Sequence, residues 1–148
     1  MTHPPLALDR DGVCDYLAEV WPEAAGSFAD GLVELEPGFA RFVRRTGPAD
    51  VRPGGTVSGP TLMHAVDEGG YALVLGHLGP AALAVTSHLS MDFLRRPTTG
   101  DLVVDVELLK LGRTQVPMAA RVFVDDPGTP PVAVATIVYS RALVAGEG

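Results

Sequence analysis

Asp67 is the residue of this chain best placed for acid–base or nucleophilic chemistry, because it lies in the middle of a long apolar segment. Residues 54–78 are expected to form one helix entered through glycines, and between residues 58 and 78 the only formal charges are Asp67 and Glu68. A helix that is apolar on nearly every side is normally buried. Because a buried carboxylate is costly unless it is paired or hydrogen-bonded, a chain that keeps one usually uses it.

Glu68 follows Asp67 directly and points about 100° away around the helix. It therefore cannot readily take part in the same acid–base or nucleophilic chemistry. We expect Glu68 to be a surface or subunit-contact residue. The alternative is that the two acids exchange roles.

Other patterns for chemistry are weaker. His64, His77 and His88 do not have the spacing of a His-Glu-x-x-His zinc site, so no metal is expected. Ser58 is not expected to be a nucleophile, because its flanking glycines do not have nucleophile-elbow spacing and follow a loop. The glycine pair at 54–55 has no following Lys-Ser/Thr, which excludes a phosphate-binding P-loop.

Length and composition restrict the class of protein. The chain has 148 residues, of which 47% are hydrophobic and 20% charged, as is typical of one soluble globular domain over residues 1–148. A net charge of −7 argues against nucleic-acid binding, because neutralising phosphates takes a basic surface. The single Cys14 excludes an intrachain disulfide and fits a cytoplasmic location. No signal peptide or membrane span is expected, since residues 1–10 lack the first pattern and no apolar run approaches about 18 residues.

Hydrophobic periodicity and turn residues predict the order of elements. These are a helix over 9–20, a hairpin over 32–35 and 39–43, a loop over 47–56, the long helix ending near 76–80, and strands over 83–94, 102–110, 114–124 and 132–143. The first of the four late strands alternates apolar and polar residues and is expected to be half-buried. Short connections predict antiparallel pairing. Pro117 indicates either an edge position or a bulge in its strand.

One long buried helix followed by four antiparallel strands predicts an α+β hotdog fold, in which an antiparallel sheet curls around a long central helix, here with an extra N-terminal helix. The segments SGPTLMHAVDEGGYA, AVTSHLSMDFLRRP and LLKLGR also resemble, in order and spacing, the signatures of the PaaI-like acyl-CoA thioesterases. The resemblance runs from about residue 51 to residue 139, which is most of the chain.

The resemblance implies thioester hydrolysis and assigns roles to residues. The acid of the central helix, the general base or nucleophile, corresponds to Asp67, and the backbone N–H that holds the oxyanion at the helix start corresponds to Gly59. Alternatively, Ser58 merely caps the helix and Gly59 serves the turn. Thr86 aligns with a hydroxyl residue that places water in some relatives, although threonine is also a routine strand residue. Ser58 and Arg52 replace the histidine and asparagine common in relatives, a departure that affects water orientation and substrate fit.

An acyl-CoA substrate would need cations for its phosphates, while no separate cofactor is implied because CoA is part of the substrate. Candidates for one positive patch are Arg95, Arg96, Lys110 and Arg113, which could equally be solvated strand ends. Helical position predicts that the acyl pocket is lined partly by Leu62, Met63, Tyr71 and Val74. A lone curved sheet leaves an open edge, so a homodimer is expected, and in the family dimers with the site between two chains often pair into homotetramers.

The sequence thus predicts a cytoplasmic acyl-CoA thioesterase that binds neither nucleic acid nor membrane. Two alternatives stay open. One is a non-catalytic acyl-CoA-binding protein on the same scaffold, suggested by the residues at Ser58 and Arg52. The other is a hydratase or dehydratase, which would need a histidine such as His64 paired with the acid.

Overall fold

The computed structural model describes residues 2–141, in which an antiparallel sheet packs around one long helix. The helices are α1 (Arg10–Val20), α2 (Pro22–Gly31) and α3 (Gly59–Leu78). The strands are β1 (Leu32–Glu36), β2 (Phe39–Arg44), β3 (Val85–Phe93), β4 (Leu102–Leu108), β5 (Gln115–Val124) and β6 (Ala133–Ser140). Their order in the sheet is β1-β2-β4-β5-β6-β3, so β1 and β3 are its edges.

The N-terminal region forms two helices where the sequence predicts one. Helix α1 begins as expected, with the Asp9 carboxylate accepting a hydrogen bond of 2.8 Å from the Gly12 amide. The sequence does not predict α2, because a proline such as Pro22 normally marks the end of a helix. Proline is in fact well suited to the first turn of a helix, where its missing N–H would have no partner anyway, and Pro22 occupies that position in α2.

Arg10 fastens the end of α2 to α1. Its Nη2 donates to the Ala29 carbonyl and its Nε to the Leu32 carbonyl, both at 2.6 Å. These carbonyls lie at the C-terminal end of α2, where the helix itself supplies no donor. The two helices are therefore held as one unit against the sheet.

Helix α3 begins later than its glycine-rich entry suggests. Ser58 is the N-cap, with its Oγ accepting from the Thr61 amide at 3.3 Å, and residues 54–57 remain outside the helix. The helix ends at Leu78, and the C-cap residue Gly79 has a φ of 79°, a conformation that glycine adopts without strain.

Two adjacent glycines let α3 lie close to the sheet. A Cβ at Gly69 would lie 3.1 Å from Val106 on β4, and a Cβ at Gly70 would lie 3.2 Å from Ile137 on β6. A glycine inside a helix costs about 1 kcal/mol relative to alanine. Here that cost is offset by close packing, because α3 buries most of its surface between the strands.

Strand β3 is more exposed than the predicted half-buried strand. Leu89 and Met91 pack against the core, but Leu83, Val85 and Phe93 are 75%, 59% and 54% exposed. The reason is its place in the sheet: β3 is an edge strand that pairs only with β6, with a register shift between Thr86 and His88. In one chain, nothing within residues 2–141 covers the outer side of this edge.

Pro117 lies where β5 has no ladder partner on its β4 side, so the expected edge position is confirmed locally and the alternative of a bulge is wrong. Strand β5 lies between β4 and β6, and its register with each is unbroken. The β4–β5 ladder ends at Leu108 opposite Met118, one residue before Pro117. The missing N–H of Pro117 lies beyond this last ladder pair, where Leu109 donates to the Pro117 carbonyl.

An antiparallel sheet curled around a central helix is the hotdog fold, as predicted, with two additional N-terminal helices instead of one. The predicted hairpin and the four late strands are all present, although the last strand was predicted to reach residue 143, and residues 142 and 143 lie outside the described part. No helix within residues 2–141 has the length and apolar character needed to cross a membrane.

His77, near the end of α3, holds the N-terminal hairpin in place. Its Nε2 accepts a hydrogen bond of 3.0 Å from the Gly38 amide in the β1–β2 turn, so the proton of the neutral ring sits on Nδ1. Nδ1 is buried and has no hydrogen-bond partner within the described residues. Burial is the main cause that lowers the pKa of His77, and the nearby His3 lowers it further.

This environment predicts a loss of stability on acidification. The unfolded chain binds a proton at His77 near the ordinary histidine pKa of about 6.5, whereas the folded chain binds it only at lower pH. The contribution of His77 to the free energy of unfolding is therefore fully present above about pH 6.5. It falls as the pH drops toward the pKa of the folded state, by at most about 1.4 kcal/mol per pH unit.

His77→Gln keeps an acceptor for Gly38 but does not titrate. Urea unfolding at several pH values between about 7.5 and 5 should show a shallower decline in the free energy of unfolding for the variant than for the wild type. Parallel declines would contradict the assignment.

Candidate functional site

A cavity of about 860 Å³ lies between α3, α2 and the start of β3. The side chains at its walls include Trp21, Ala24, Ser27, Phe28, Arg44, His64, Asp67, Glu68, Tyr71, Leu83, Val85, Thr86 and Tyr139. Both helix carboxylates face it. Trp21, Leu83 and Val85 are about half exposed or more, which places an apolar surface at its mouth.

The Asp67 carboxylate is half-buried and held at one oxygen. Its Oδ1 accepts from the Thr86 hydroxyl at 2.6 Å and from the Tyr139 hydroxyl at 2.7 Å. Its Oδ2 has no donor within the described residues. The structure thus brings Asp67 and Thr86, both selected from the sequence, into direct contact.

Tyr139 was not selected from the sequence. It lies on β6, is only 3% exposed and stacks on Tyr71 with ring centroids 5.7 Å apart. Burial, and then the negative charge of Asp67, raise the pKa of Tyr139, so its hydroxyl remains protonated and can donate. The sequence could have indicated only that Tyr139 faces inward, because it lies two residues after Ile137 in the last strand. No pattern in the sequence indicates that this position contacts Asp67.

Glu68 is buried, which corrects the expectation of a surface or subunit-contact residue. Its side chain is 8% exposed; Oε1 accepts from Arg44 Nη1 at 2.8 Å, and Oε2 accepts from the Ser27 hydroxyl at 2.7 Å. His64 Nε2 lies 3.7 Å from Oε1, one helical turn away. The physical reason is that the turn of about 100° between the two acids directs Glu68 toward β2 and α2, where a cation and a hydroxyl meet it.

A network of side chains fixes the start of α3. The Thr61 hydroxyl contacts Ser58 Oγ at 2.8 Å and donates to Asp50 Oδ1 at 3.0 Å. The Gly47 amide and the Thr61 hydroxyl lower the pKa of Asp50. With the Thr61 amide bonded to Ser58 and Pro60 lacking an N–H, the Gly59 amide has no acceptor within the described residues.

Gly59 lines a second depression, of about 640 Å³, and not the cavity of Asp67. Arg52, Arg95 and Arg96 lie in the same depression, where Arg95 Nη1 also donates to the Pro131 carbonyl at 2.6 Å. Asp67 lies eight positions after Gly59 in the helix, which is about 12 Å along the axis. Within one chain the two residues therefore do not meet.

The two basic pairs do not form one patch within a chain. Arg95 and Arg96 follow the end of β3, whereas Lys110 and Arg113 lie at the β4–β5 turn. The register places that turn beside the start of β3, because Gln115 is opposite Ser140, which is itself opposite Val85. The pairs are thus separated by nearly the length of β5, about 30 Å.

The predicted acyl-pocket residues are only partly brought together. Tyr71 lines the cavity of Asp67. Leu62 and Val74 are fully buried in the core, and Met63 is 37% exposed and outside the cavity. No cluster of three metal-ligating side chains occurs in the described part of the chain.

Replacing Glu68 should test its structural role. We expect Glu68→Gln to lower the free energy of unfolding by about 2 kcal/mol, because it leaves the half-buried Arg44 charge without a counter-ion. Asp67→Asn is the matched control, since Asp67 forms no salt bridge in residues 2–141, and it should cost less than about 1 kcal/mol. Urea unfolding measures both, and equal losses would contradict the distinction between the acids.

Comparison with known proteins places the chain in a family. Residues 54–131, a little over half of the chain, match the family model of the Thioesterase superfamily. The crystal structure of a candidate thioesterase from Silicibacter sp. TM1040 is 40% identical over 93% of this chain and 94% of its own, with a TM-score of 0.79. No curated protein matches the chain significantly.

Two more distant structures show the same fold. The PaaI protein of the phenylacetic acid degradation operon of E. coli is 18% identical over 88% of this chain and 98% of its own, with a TM-score of 0.69. A Streptococcus mutans protein bound to acetyl CoA is 19% identical over 76% of this chain and 87% of its own, with a TM-score of 0.66. The predicted family is thereby confirmed: this chain belongs to the thioesterase superfamily and has its hotdog fold.

Proposed function

We propose that this protein hydrolyses an acyl-CoA thioester to the free acid and CoA, with Asp67 as the general base or nucleophile. The observation that carries the proposal is the Asp67 carboxylate on the wall of a cavity, held at Oδ1 and without a donor at Oδ2 among residues 2–141. Family membership supports the reaction class.

The chemistry balances along either route. In the first, Asp67 takes a proton from water while the water oxygen attacks the thioester carbonyl carbon. In the second, Asp67 itself attacks and water then hydrolyses the mixed anhydride. In both, the carbonyl oxygen carries a negative charge in the tetrahedral intermediate, the C–S bond breaks, and the departing thiolate of CoA takes up a proton.

A second subunit would complete the site, and the edge strand supports this step. Thr86, at the start of β3, contacts Asp67, whereas Phe93, at its end, packs 3.4 Å from where a Cβ of Gly59 would lie. If two copies pair antiparallel along β3, the end of one strand lies beside the start of the other. The amide of Gly59 of the partner subunit would then approach Asp67 as the oxyanion donor, which the separation of about 12 Å forbids within one chain.

The same pairing supports a binding site for CoA phosphates. It would bring Arg95 and Arg96 of the partner subunit to the end of the sheet that carries Lys110 and Arg113. Arg52 lies beside Arg95 and Arg96 in the depression at the start of α3. We therefore propose a homodimer, which can pair again into a homotetramer, with arginine and lysine side chains from both chains near the phosphates.

The remaining features of the proposal come from composition. A single domain over residues 1–148 would act in the cytoplasm, consistent with one cysteine in the chain. No separate cofactor is needed, because the reaction uses only water and the CoA ester.

A non-catalytic acyl-CoA-binding protein is the second candidate. It is supported by Ser58, which here serves to cap α3, and by Arg52, which lies near Arg96 instead of near Asp67. A hydratase has less support, because His64 lies near Glu68, whose carboxylate is already engaged by Arg44 and Ser27.

Thiol release from a panel of short, medium, long and aryl acyl-CoAs tests the proposed reaction. We expect wild-type turnover and a loss of about 100-fold or more in Asp67→Asn, since a positioned base typically contributes that much. Asp92→Asn, which changes a carboxylate on the outer face of the sheet, is the matched control and should keep its turnover. Binding of CoA without turnover of any substrate would favour the binding protein.

Subunit pairing has its own test. Val85→Asp places a charge on the exposed β3 edge, and we expect it to weaken self-association at least about 100-fold, because an unpaired charge would be buried in the interface. Val33→Asp makes the same change on β1, the opposite edge, where Val33 is 51% exposed, and should leave association unchanged. Analytical ultracentrifugation measures both, and a monomeric wild type would contradict the shared site.

A further inference from the structure

We propose that Tyr139 is a positioning residue for Asp67, which together with Thr86 holds Oδ1 and so makes Oδ2 the oxygen that reacts. This inference rests on the proposed function, because it concerns the same carboxylate. The inference assigns a role to Tyr139, which the sequence did not single out. It also specifies which oxygen of Asp67 reacts.

The two neighbouring acids show how the structure separates a fixed carboxylate from an available one. Glu68 is engaged at both oxygens, by Arg44 at Oε1 and by Ser27 at Oε2. Asp67 receives both of its donors at Oδ1. Oδ2 of Asp67, a residue on the cavity wall, therefore has no competing donor within residues 2–141 and is the oxygen left free to take a proton from water or attack a carbonyl carbon.

The donors of Asp67 are neutral, in contrast to the guanidinium on Glu68. A cation would offset the negative charge that a base or nucleophile needs, whereas a hydroxyl orients the carboxylate and leaves the charge in place. Tyr139 cannot reverse its role by ionising, because burial keeps its hydroxyl protonated. Thr86 has no charged form in this range.

The ring of Tyr139 is itself held in place. It stacks on Tyr71 with an angle of 17° between the rings, and the Tyr71 hydroxyl donates to the Ala82 carbonyl at 3.1 Å. The Ala82 amide in turn donates to the Tyr16 hydroxyl on α1 at 3.1 Å. A chain of contacts from α1 through the loop before β3 thus fixes the position from which Tyr139 reaches Asp67. Its hydroxyl also lies 3.2 Å from the Asp67 carbonyl, one more contact with the same residue.

The two hydrogen bonds at Oδ1 hold the Asp67 carboxylate in one orientation, so losing one should leave Oδ2 less precisely placed for reaction. Other titratable groups around the cavity also act on this charge and must be unchanged in the comparison. They are His64, Glu68 and Tyr71 on α3, Glu23 on α2 and Arg44 on β2, while β3 contributes only the neutral Thr86 to the contact. A variant that removes one hydroxyl leaves all of them in place.

Tyr139→Phe removes the hydroxyl and keeps the stacked ring. We expect kcat to fall about tenfold with little change in KM, because the loss of a hydrogen bond to a charged group changes a rate by about that factor. Thr86→Val removes the other donor and should act in the same direction. Thr129→Val is the matched control: it removes an exposed hydroxyl that donates to the Asp126 carbonyl and does not line the cavity, so it should leave kcat unchanged.

A second measurement keeps the result independent of turnover. The NMR signal of the Asp67 carboxyl carbon, measured at one pH, should move in Tyr139→Phe but not in Thr129→Val. If the wild type hydrolyses no acyl-CoA, the proposed function fails, while this signal still tests the positioning. An unmoved signal in a folded Tyr139→Phe, or in Thr86→Val if Tyr139→Phe does not fold, would overturn the inference.

Discussion

The structure depends on burying one helix that carries two adjacent carboxylates. Helix α3 is enclosed so closely that a Cβ at Gly69 or Gly70 would lie 3.1 or 3.2 Å from a side chain of the sheet. A carboxylate buried in this helix must therefore find partners within the protein. Adjacent side chains on a helix point in different directions, so the two carboxylates meet different surrounding elements. Glu68 meets a cation from β2 and a hydroxyl from α2, whereas Asp67 meets hydroxyls from β3 and β6.

This constraint explains why the N-terminal helices matter to the site. They lie outside residues 54–131, the part that matches the superfamily model, yet α2 supplies Ser27 to Glu68 and Phe28 to the cavity wall. Trp21, at the corner between α1 and α2, packs edge-on against Tyr71 at 6.3 Å. The wall opposite β3 therefore comes from the N-terminal segment. Asp67, Glu68, Tyr71 and Thr86 lie within the matched segment, whereas Arg44 and Tyr139 lie outside it.

An incomplete edge is the second constraint. Strand β3 joins the two ends of the candidate site, since Thr86 touches Asp67 at one end and Phe93 lies against Gly59 at the other. Its exposed apolar residues and unpaired backbone are costly to leave open to solvent. A symmetric partner along this strand would cover that surface and bring the two ends of the site together, so one feature of the sheet accounts for both the proposed dimer and the proposed oxyanion donor.

Local sequence signals were sufficient to predict most of the helices and strands. The sequence predicted the cap at Asp9, the hairpin, the long helix with Asp67 at its centre and the late strands, because capping, turn chemistry and hydrophobic period act over a few residues. It also identified the family from three ordered segments. Tertiary structure alone decided that Glu68 is buried against Arg44, that Tyr139 reaches Asp67, and that the two basic pairs lie at opposite ends of the sheet. These contacts join residues 24 to 72 positions apart, or depend on strand order, and no local pattern encodes which strand lies beside which helix face.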